Sequence, residues 1–181
     1  MALQIKHSFT IETPIDLVWN YFADPAQVVP CLPGAELVEV IDEQAYLGRV
    51  GIRLGQINMN LEGQVRILEV DPQQKVMKLT ANGDQLGASG GADADISFSL
   101  SEVDKTHTEI NILSDVRVSG KLAQMGGSMV QTVAKFMFGR FSKCIEKTLC
   151  EPTASEDIKA EMGFFRKVLA AIKNWFRRLF R

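Results

Sequence analysis

The stretch INMNLEGQVRI, residues 57–67, alternates almost without fault. Ile57, Met59, Leu61, Val65 and Ile67 fall on one side, and Asn58, Asn60, Glu62, Gln64 and Arg66 on the other. Successive side chains of a strand point to opposite faces, so a period of two is a strand with one face buried and one wet. The neighbouring stretches repeat the pattern. Tyr46, Val50, Ile52 and Leu54 oppose Arg49 and Arg53. Met77, Leu79 and Ala81 oppose Lys78 and Thr80, and Ala92, Ala94, Ile96, Phe98 and Leu100 oppose Asp93, Asp95, Ser97 and Ser99. Further on, Ile110, Ile112, Val116 and Val118 oppose Glu109, Asn111, Asp115 and Arg117. Upstream, Leu3, Ile5, His7, Phe9 and Ile11 share a face. With Ala35 to Asp42, and with turn signals at Asp42-Glu43, Asp71-Pro72 and Asp104-Lys105, this predicts about seven antiparallel strands.

Helical signals flank the strands. Thr13 reads as an N-cap with Pro14 at the first helical position, opening a helix to Ala23 that places Leu17, Val18, Tyr21 and Phe22 on one side. Asp24-Pro25 ends it, and a short helix at 26–29 is closed by Pro30 and Pro33-Gly34. Ser119 reads as the N-cap of a long helix, roughly Gly120 to Leu149, with Leu122, Met125, Met129, Val133 and Phe136 at helical spacing, continued by Met137, Phe141 and Ile145. At 1.5 Å per residue such a helix spans over about 40 Å. A sheet with one apolar face needs a cover, and this helix is the element large enough to supply it. The fold class is therefore α+β: a curved antiparallel sheet wrapped on a long C-terminal helix, the helix-grip arrangement. An apolar cavity between sheet and helix is expected, lined by Phe22, Tyr46, Ile52, Leu54, Met59, Leu61, Met77, Leu79, Phe98, Met125, Met129, Val133 and Phe136. The methionines suit a surface that adapts to a ligand, although each serves equally as ordinary core.

The chain has 181 residues, 46% hydrophobic and 23% charged, enough for one domain with an appendage and unlike a disordered or collagen-like chain. No apolar run approaches the roughly 18 residues of a spanning helix. Met1 to Thr10 lacks the basic and apolar regions of a signal peptide. The three cysteines, Cys31, Cys144 and Cys150, have no metal-ligand spacing, and their odd number argues against a disulfide framework. A reducing cytoplasm is the compartment expected.

The net charge of −2 hides an asymmetry. Residues 164–181 carry six basic residues and no acid, which leaves the rest of the chain at −8. On a helical wheel Phe164, Phe165, Val168, Leu169, Ile172, Trp175, Phe176, Leu179 and Phe180 occupy one arc. Arg166, Lys167, Lys173, Arg177, Arg178 and Arg181 occupy the other. Aromatic bulk on one face and cations on the opposite face suit an anionic bilayer surface. A helix docking on a partner protein or on its own domain has the same pattern. Nucleic acid fits poorly, because the aromatics lie opposite the basic face and the body is acidic. The organisation expected is a ligand-binding domain at 1–150, an acidic linker at 151–163 and a basic amphipathic membrane-binding helix at 164–181.

The inward-facing set holds no Ser-His-Asp group, no metal-ligand spacing and no paired carboxylates, so neither a catalytic residue nor a metal is assigned. His7 faces inward as a lone histidine, more often a satisfied core residue than a base, and His107 falls in a hairpin turn. Gly83 to Gly91 is no phosphate loop, since no Gly-Lys-Ser/Thr follows; it reads as a strand connection, or else as a mobile gate. Gly126, Gly127 and Gly139 interrupt the long helix, for close packing or as a hinge.

Several segments resemble one family. Thr13-Pro14 with Val18-Trp19, Asp24-Pro25 and the run Cys31-Leu32-Pro33-Gly34-Ala35-Glu36 are similar to the opening of the carbon monoxide dehydrogenase CoxG family, within the START/Bet v 1-like (SRPBCC) superfamily. Gly87-Ala88-Ser89-Gly90-Gly91-Ala92 resembles its Gly-rich strand approach, and Val118-Ser119-Gly120-Lys121-Leu122-Ala123-Gln124-Met125-Gly126 the start of its long helix. The resemblance spans about residues 3–149. It implies association with molybdenum-containing hydroxylases such as carbon monoxide dehydrogenase, attachment of these enzymes to the membrane, and handling of quinone, their lipophilic electron acceptor. The function expected is that of a non-enzymatic carrier with a bound quinone or other lipophilic ligand, peripheral on the inner face of the cytoplasmic membrane. Tyr46 is a candidate donor to a quinone carbonyl. The alternatives are a cavity enzyme of the polyketide cyclase/dehydratase type and a pure membrane anchor with a filled core.

Overall fold

Seven runs of alternating residues become seven strands: β1 (Ala2–Ile11), β2 (Ala35–Val40), β3 (Ala45–Leu54), β4 (Ile57–Asp71), β5 (Val76–Gln85), β6 (Gly91–Asp104) and β7 (His107–Val118). A computed structural model describes residues 1–55 and 57–150. All neighbours are antiparallel, and the sheet order is β1-β7-β6-β5-β4-β3-β2. Six strands thus form a meander from β2 to β7, and β1 closes onto the last of them. The turns form where an aspartate carboxylate stands in for a backbone acceptor. Asp42 accepts from the Gln44 N–H, Asp71 from those of Gln73 and Gln74, and Asp104 from those of Thr106 and His107.

The outer face is the wet one. Cross-strand ion pairs join Arg49 to Glu62, Lys78 to Glu69 and Arg117 to Asp95 there. Hydrogen bonds from Arg117 and Thr80 hold the Asp95 carboxyl below the usual carboxylate range. β-Bulges at Leu37/Glu39 and Ile67/Glu69 interrupt the ladders, a device that adds local twist and bends a strand.

Helices α1 (Ile15–Phe22) and α2 (Pro25–Val28), with a 3-10 turn (Val29–Cys31), connect β1 to β2. Pro14 rather than Thr13 occupies the N-cap of α1. Thr13 is instead buried, and its carbonyl accepts the Thr108 hydroxyl at 2.7 Å. The Asp24 carboxylate caps α2 by accepting from the Ala26 N–H at 3.0 Å.

The long helix departs from expectation. It is two helices, α3 (Gly120–Gln124) and α4 (Gly127–Cys150), separated at Met125-Gly126. Gly126 takes φ +82°, a left-handed conformation that favours glycine, so the helix restarts in a new phase. That change of phase leaves Met125 and Met129 exposed, at 37% and 39%, where unbroken spacing placed them inward. The face of α4 that turns inward carries Val130, Val133, Met137, Phe138, Phe141, Cys144 and Ile145.

The cysteines are a second departure. Cys31 and Cys144 form a disulfide between the 3-10 turn and α4, leaving Cys150 free and exposed. An odd count excludes full pairing, and here one pair forms and one thiol is left over. The Gly-rich connection is the third feature to settle, since the backbone pins it. β5 runs on to Gln85 and β6 starts at Gly91. Gly91 and Ser119 exchange backbone and hydroxyl hydrogen bonds, and Gly90 lies so close to Gly120 that a Cβ on either would overlap the other's backbone. This matches the strand-connection reading.

Candidate functional site

The inner face can be followed in rows, because paired residues at alternate positions lie side by side. One row runs His7, Ile112, Phe98, Met77, and the next Ile5, Ser114, Ile96, Leu79, Ile67. A third runs Leu3, Val116, Ala94, Ala81, Val65, Tyr46, and a fourth Val118, Ala92, Gly83, Gly63, Gly48. Beyond these, Leu61 pairs with Val50 and Met59 with Ile52. Bulk is therefore concentrated at the two ends, with alanines and glycines between.

Packing follows the same division. One cluster gathers Phe22, Met77, Phe98, Ile112, Phe141 and Ile145, with Leu79 against it. Its centre is aromatic: Phe22 lies 4.2 Å from Phe98 and 6.2 Å from Phe141, centroid to centroid. The other gathers Ile52, Ile57, Met59, Val118 and Leu122, with Leu54, Leu61 and Val133 against it. Between them, Ala81, Gly83 and Ala94 on the helix side of the sheet are not fully buried.

The expected lining thus divides. Phe22, Met77, Leu79 and Phe98 come together in the first cluster, and Ile52, Leu54, Met59, Leu61 and Val133 in the second. Phe136 is half-buried with the Arg140 guanidinium over its ring at 5.7 Å. Met125 and Met129 do not join either cluster. Tyr46 lies on the inner side, but its hydroxyl donates to the Glu43 carbonyl at 3.1 Å, within its own hairpin. Burial and the nearby Asp24, Asp42 and Glu43 push its pKa up. Tyr21 is engaged likewise: its hydroxyl donates to the Gln27 carbonyl at 2.6 Å, and burial pushes its pKa to about 12.

Three buried polar atoms have no hydrogen-bond partner among the described residues: His7 Nε2, Ser114 Oγ and Gln85 Oε1. All three occupy inward positions of their strands. The His7 ring stacks on Phe138 of α4 at 5.1 Å and lies 5.5 Å from Phe9. Desolvation in that aromatic setting lowers its pKa, so the imidazole is neutral at pH 7. Ser114 is 3% exposed. A buried polar atom without a protein partner is uncommon, and each is a point at which a ligand's own polar atom can bind. Sequence reading found His7 but not Ser114 or Gln85.

A separate, open depression of about 250 Å³ runs along β1 and β7 between Ala2–Gln4 and Asp115–Arg117. It lies at the sheet edge, away from the small-residue rows. Residues 164–181, expected to bind membrane, lie outside the described residues, as does the linker at 151–163. No helix among the described residues is long and apolar enough to cross a membrane.

A curved seven-stranded antiparallel sheet, closed by a C-terminal helix over an apolar concave face, defines the START/Bet v 1-like, helix-grip class. Solved structures share it. A conserved protein from Geobacillus kaustophilus superposes with a TM-score of 0.75 at 24% identity, covering 82% of this chain and 96% of that one. A START superfamily protein from Mycobacterium smegmatis gives 0.57 at 13%, covering 83% and 99%. The Zhui aromatase/cyclase from Streptomyces sp. R1128 gives 0.52 at 14%, covering 82% and 92%. At these identities the likeness is one of fold. No curated protein matches the chain. Residues 8–150 match the carbon monoxide dehydrogenase CoxG family, and the chain belongs to that family.

Proposed function

We propose that this chain is a non-enzymatic binding protein whose concave face takes a lipophilic ligand, a quinone foremost. Its residues 164–181 dock it on the anionic inner face of the cytoplasmic membrane. There it carries quinone to, or recruits, a molybdenum hydroxylase such as carbon monoxide dehydrogenase. The observation that carries this reading is the contrast within the inner face: two packed ends, and between them small residues left half-buried beneath a helix. An apolar ligand laid on that belt would remove its surface from water, at about 25 cal/mol per Å². The choice of quinone and of enzyme rests on the family.

A cavity enzyme is the second reading, and His7 favours it, since a buried neutral imidazole is an available base. It lacks the usual support of a base, because no described group hydrogen-bonds to Nε2 to orient the ring.

The test is mass spectrometry of an organic extract from the full-length protein purified without detergent. A stoichiometric quinone or lipid is expected. An empty extract, together with no binding of an added short-chain quinone, would overturn carriage and favour the anchor reading.

A further inference from the structure

The geometry points to His7 and Ser114 as the polar end of the ligand site, a pair that hydrogen-bonds one oxygen of an otherwise apolar ligand. This rests on the reading of the concave face as a ligand site, and it adds which end of the ligand goes where. Ile5 pairs directly with Ser114, and His7 stands two residues further along β1. His7 and Ser114 are thus diagonal neighbours on one face, with Cβ atoms about 7 Å apart. Neither Nε2 nor Oγ has a partner among the described residues, and both atoms are buried. They are flanked by Ile112, Ile96 and Phe138, none of which offers a polar side-chain atom.

Chemistry narrows the ligand atom. The Ser114 hydroxyl both donates and accepts, and a neutral imidazole nitrogen does one or the other according to its tautomer. A carbonyl oxygen accepts from Ser114 and from an Nε2–H. A hydroxyl accepts from Ser114 and donates to a bare Nε2. The pair therefore holds a ketone or an alcohol oxygen, and so the oxidised and the reduced forms of a quinone alike. A carboxylate or phosphate fits badly, because these flanking residues carry no cation and the His7 ring is kept neutral. The apolar remainder of the ligand lies along the small rows through Ala94 and Ala81, next to the Ser114 row.

The experiment is calorimetric titration of the full-length protein with two probes. One is 2-methyl-1,4-naphthoquinone carrying a single prenyl group, and the other is the same prenylated naphthalene without its oxygens. The wild type should bind the quinone about tenfold more tightly than the hydrocarbon. His7→Phe, which keeps the stack on Phe138, and Ser114→Ala should each remove most of that preference while leaving hydrocarbon affinity unchanged. Equal wild-type affinity for the two probes overturns the polar end and spares the carrier, and this comparison needs no variant to fold. Quinone preference that survives both substitutions also overturns the assignment. Binding of neither probe overturns the carrier reading and the pair with it.

Discussion

The Sγ atoms of Cys31 and Cys144 are bonded across 113 positions of sequence, which ties the 3-10 turn before β2 to the buried side of α4. Tyr21 donates to the Cys31 sulfur at 3.6 Å, and the Thr148 hydroxyl lies 3.7 Å from it, so the bond sits where α1, the turn and α4 meet. A cross-link closing so long a loop restricts the unfolded chain, and by chain entropy it stabilises by about 4–5 kcal/mol. Reduction is therefore expected to lower the melting temperature by many degrees, and the double variant Cys31→Ala/Cys144→Ala to match the reduced protein. Thiol counting in denaturant without reductant should find one group, Cys150. Three reactive thiols, with a melting temperature indifferent to reductant, would show that the bond does not form.

His7 gives stability an acid dependence. Its folded pKa is lowered from 6.5 by desolvation, so the unfolded chain binds the proton more readily than the folded one. The sign follows: His7 costs nothing above pH 6.5, and stability falls as pH drops from 6.5 towards the folded value. Phe9 and Phe138 are its ring neighbours and contribute no charge. His7→Phe should flatten that decline between pH 7.5 and 5.5 in urea unfolding, with His107 common to both proteins and cancelling in the difference. Parallel curves for the two proteins would show that His7 titrates as in the unfolded chain.

Much of this was legible in the sequence because alternation is a local signal. Residues 57–67 give β4 its inward set, and the same period gives the other strands theirs. The sheet then follows from the one apolar face they share. The helix was legible in place but not in phase. Periodicity carried Leu122 on to Met125 and Met129, whereas the left-handed turn at Gly126 resets the register, and a glycine inside a helical pattern does not by itself say whether the helix pauses there. The cysteine pair depends on a contact across 113 positions, which spacing cannot show. Ser114 did leave a trace. The inward set read for β7, Ile110, Ile112, Val116 and Val118, skips one position, and the skipped residue is the buried serine. A polar residue at an inward position of an apolar strand was the available sign of the site.

The glycines separate by what surrounds them. Gly120 has φ +61°, and a Cβ there would stand 2.3 Å from the Ser89 carbonyl oxygen. Gly139 lies within α4, and a Cβ there meets nothing within 4 Å. Gly120→Ala is expected to destabilise by about 2–4 kcal/mol, since neither the backbone conformation nor the packed connection can give way. Gly139→Ala should instead stabilise by up to about 1 kcal/mol, because alanine loses less backbone entropy in a helix. Denaturant unfolding decides both. A destabilising Gly139→Ala would mean that α4 bends at this point. A stabilising one with weakened quinone binding would mean that the bare backbone there belongs to the ligand's path.

The proposed membrane role rests on residues 164–181 and can be separated from the domain. Deleting 163–181 should abolish co-sedimentation with vesicles containing anionic lipid. Each cation near such a surface contributes on the order of 1 kcal/mol, screened by salt. Reversing Arg177 and Arg178 to Glu should therefore weaken binding strongly at low salt and less at high salt. Trp175→Ala with Phe176→Ala should weaken it at every salt concentration, because the apolar face contributes by burial rather than by charge. The competing arrangement, a helix folded back on its own domain, makes a different prediction. Deletion would then lower the melting temperature of the remaining 162 residues, and vesicles would recruit the full chain no better than the truncated one. Unchanged co-sedimentation after deletion would place any membrane contact on the domain itself.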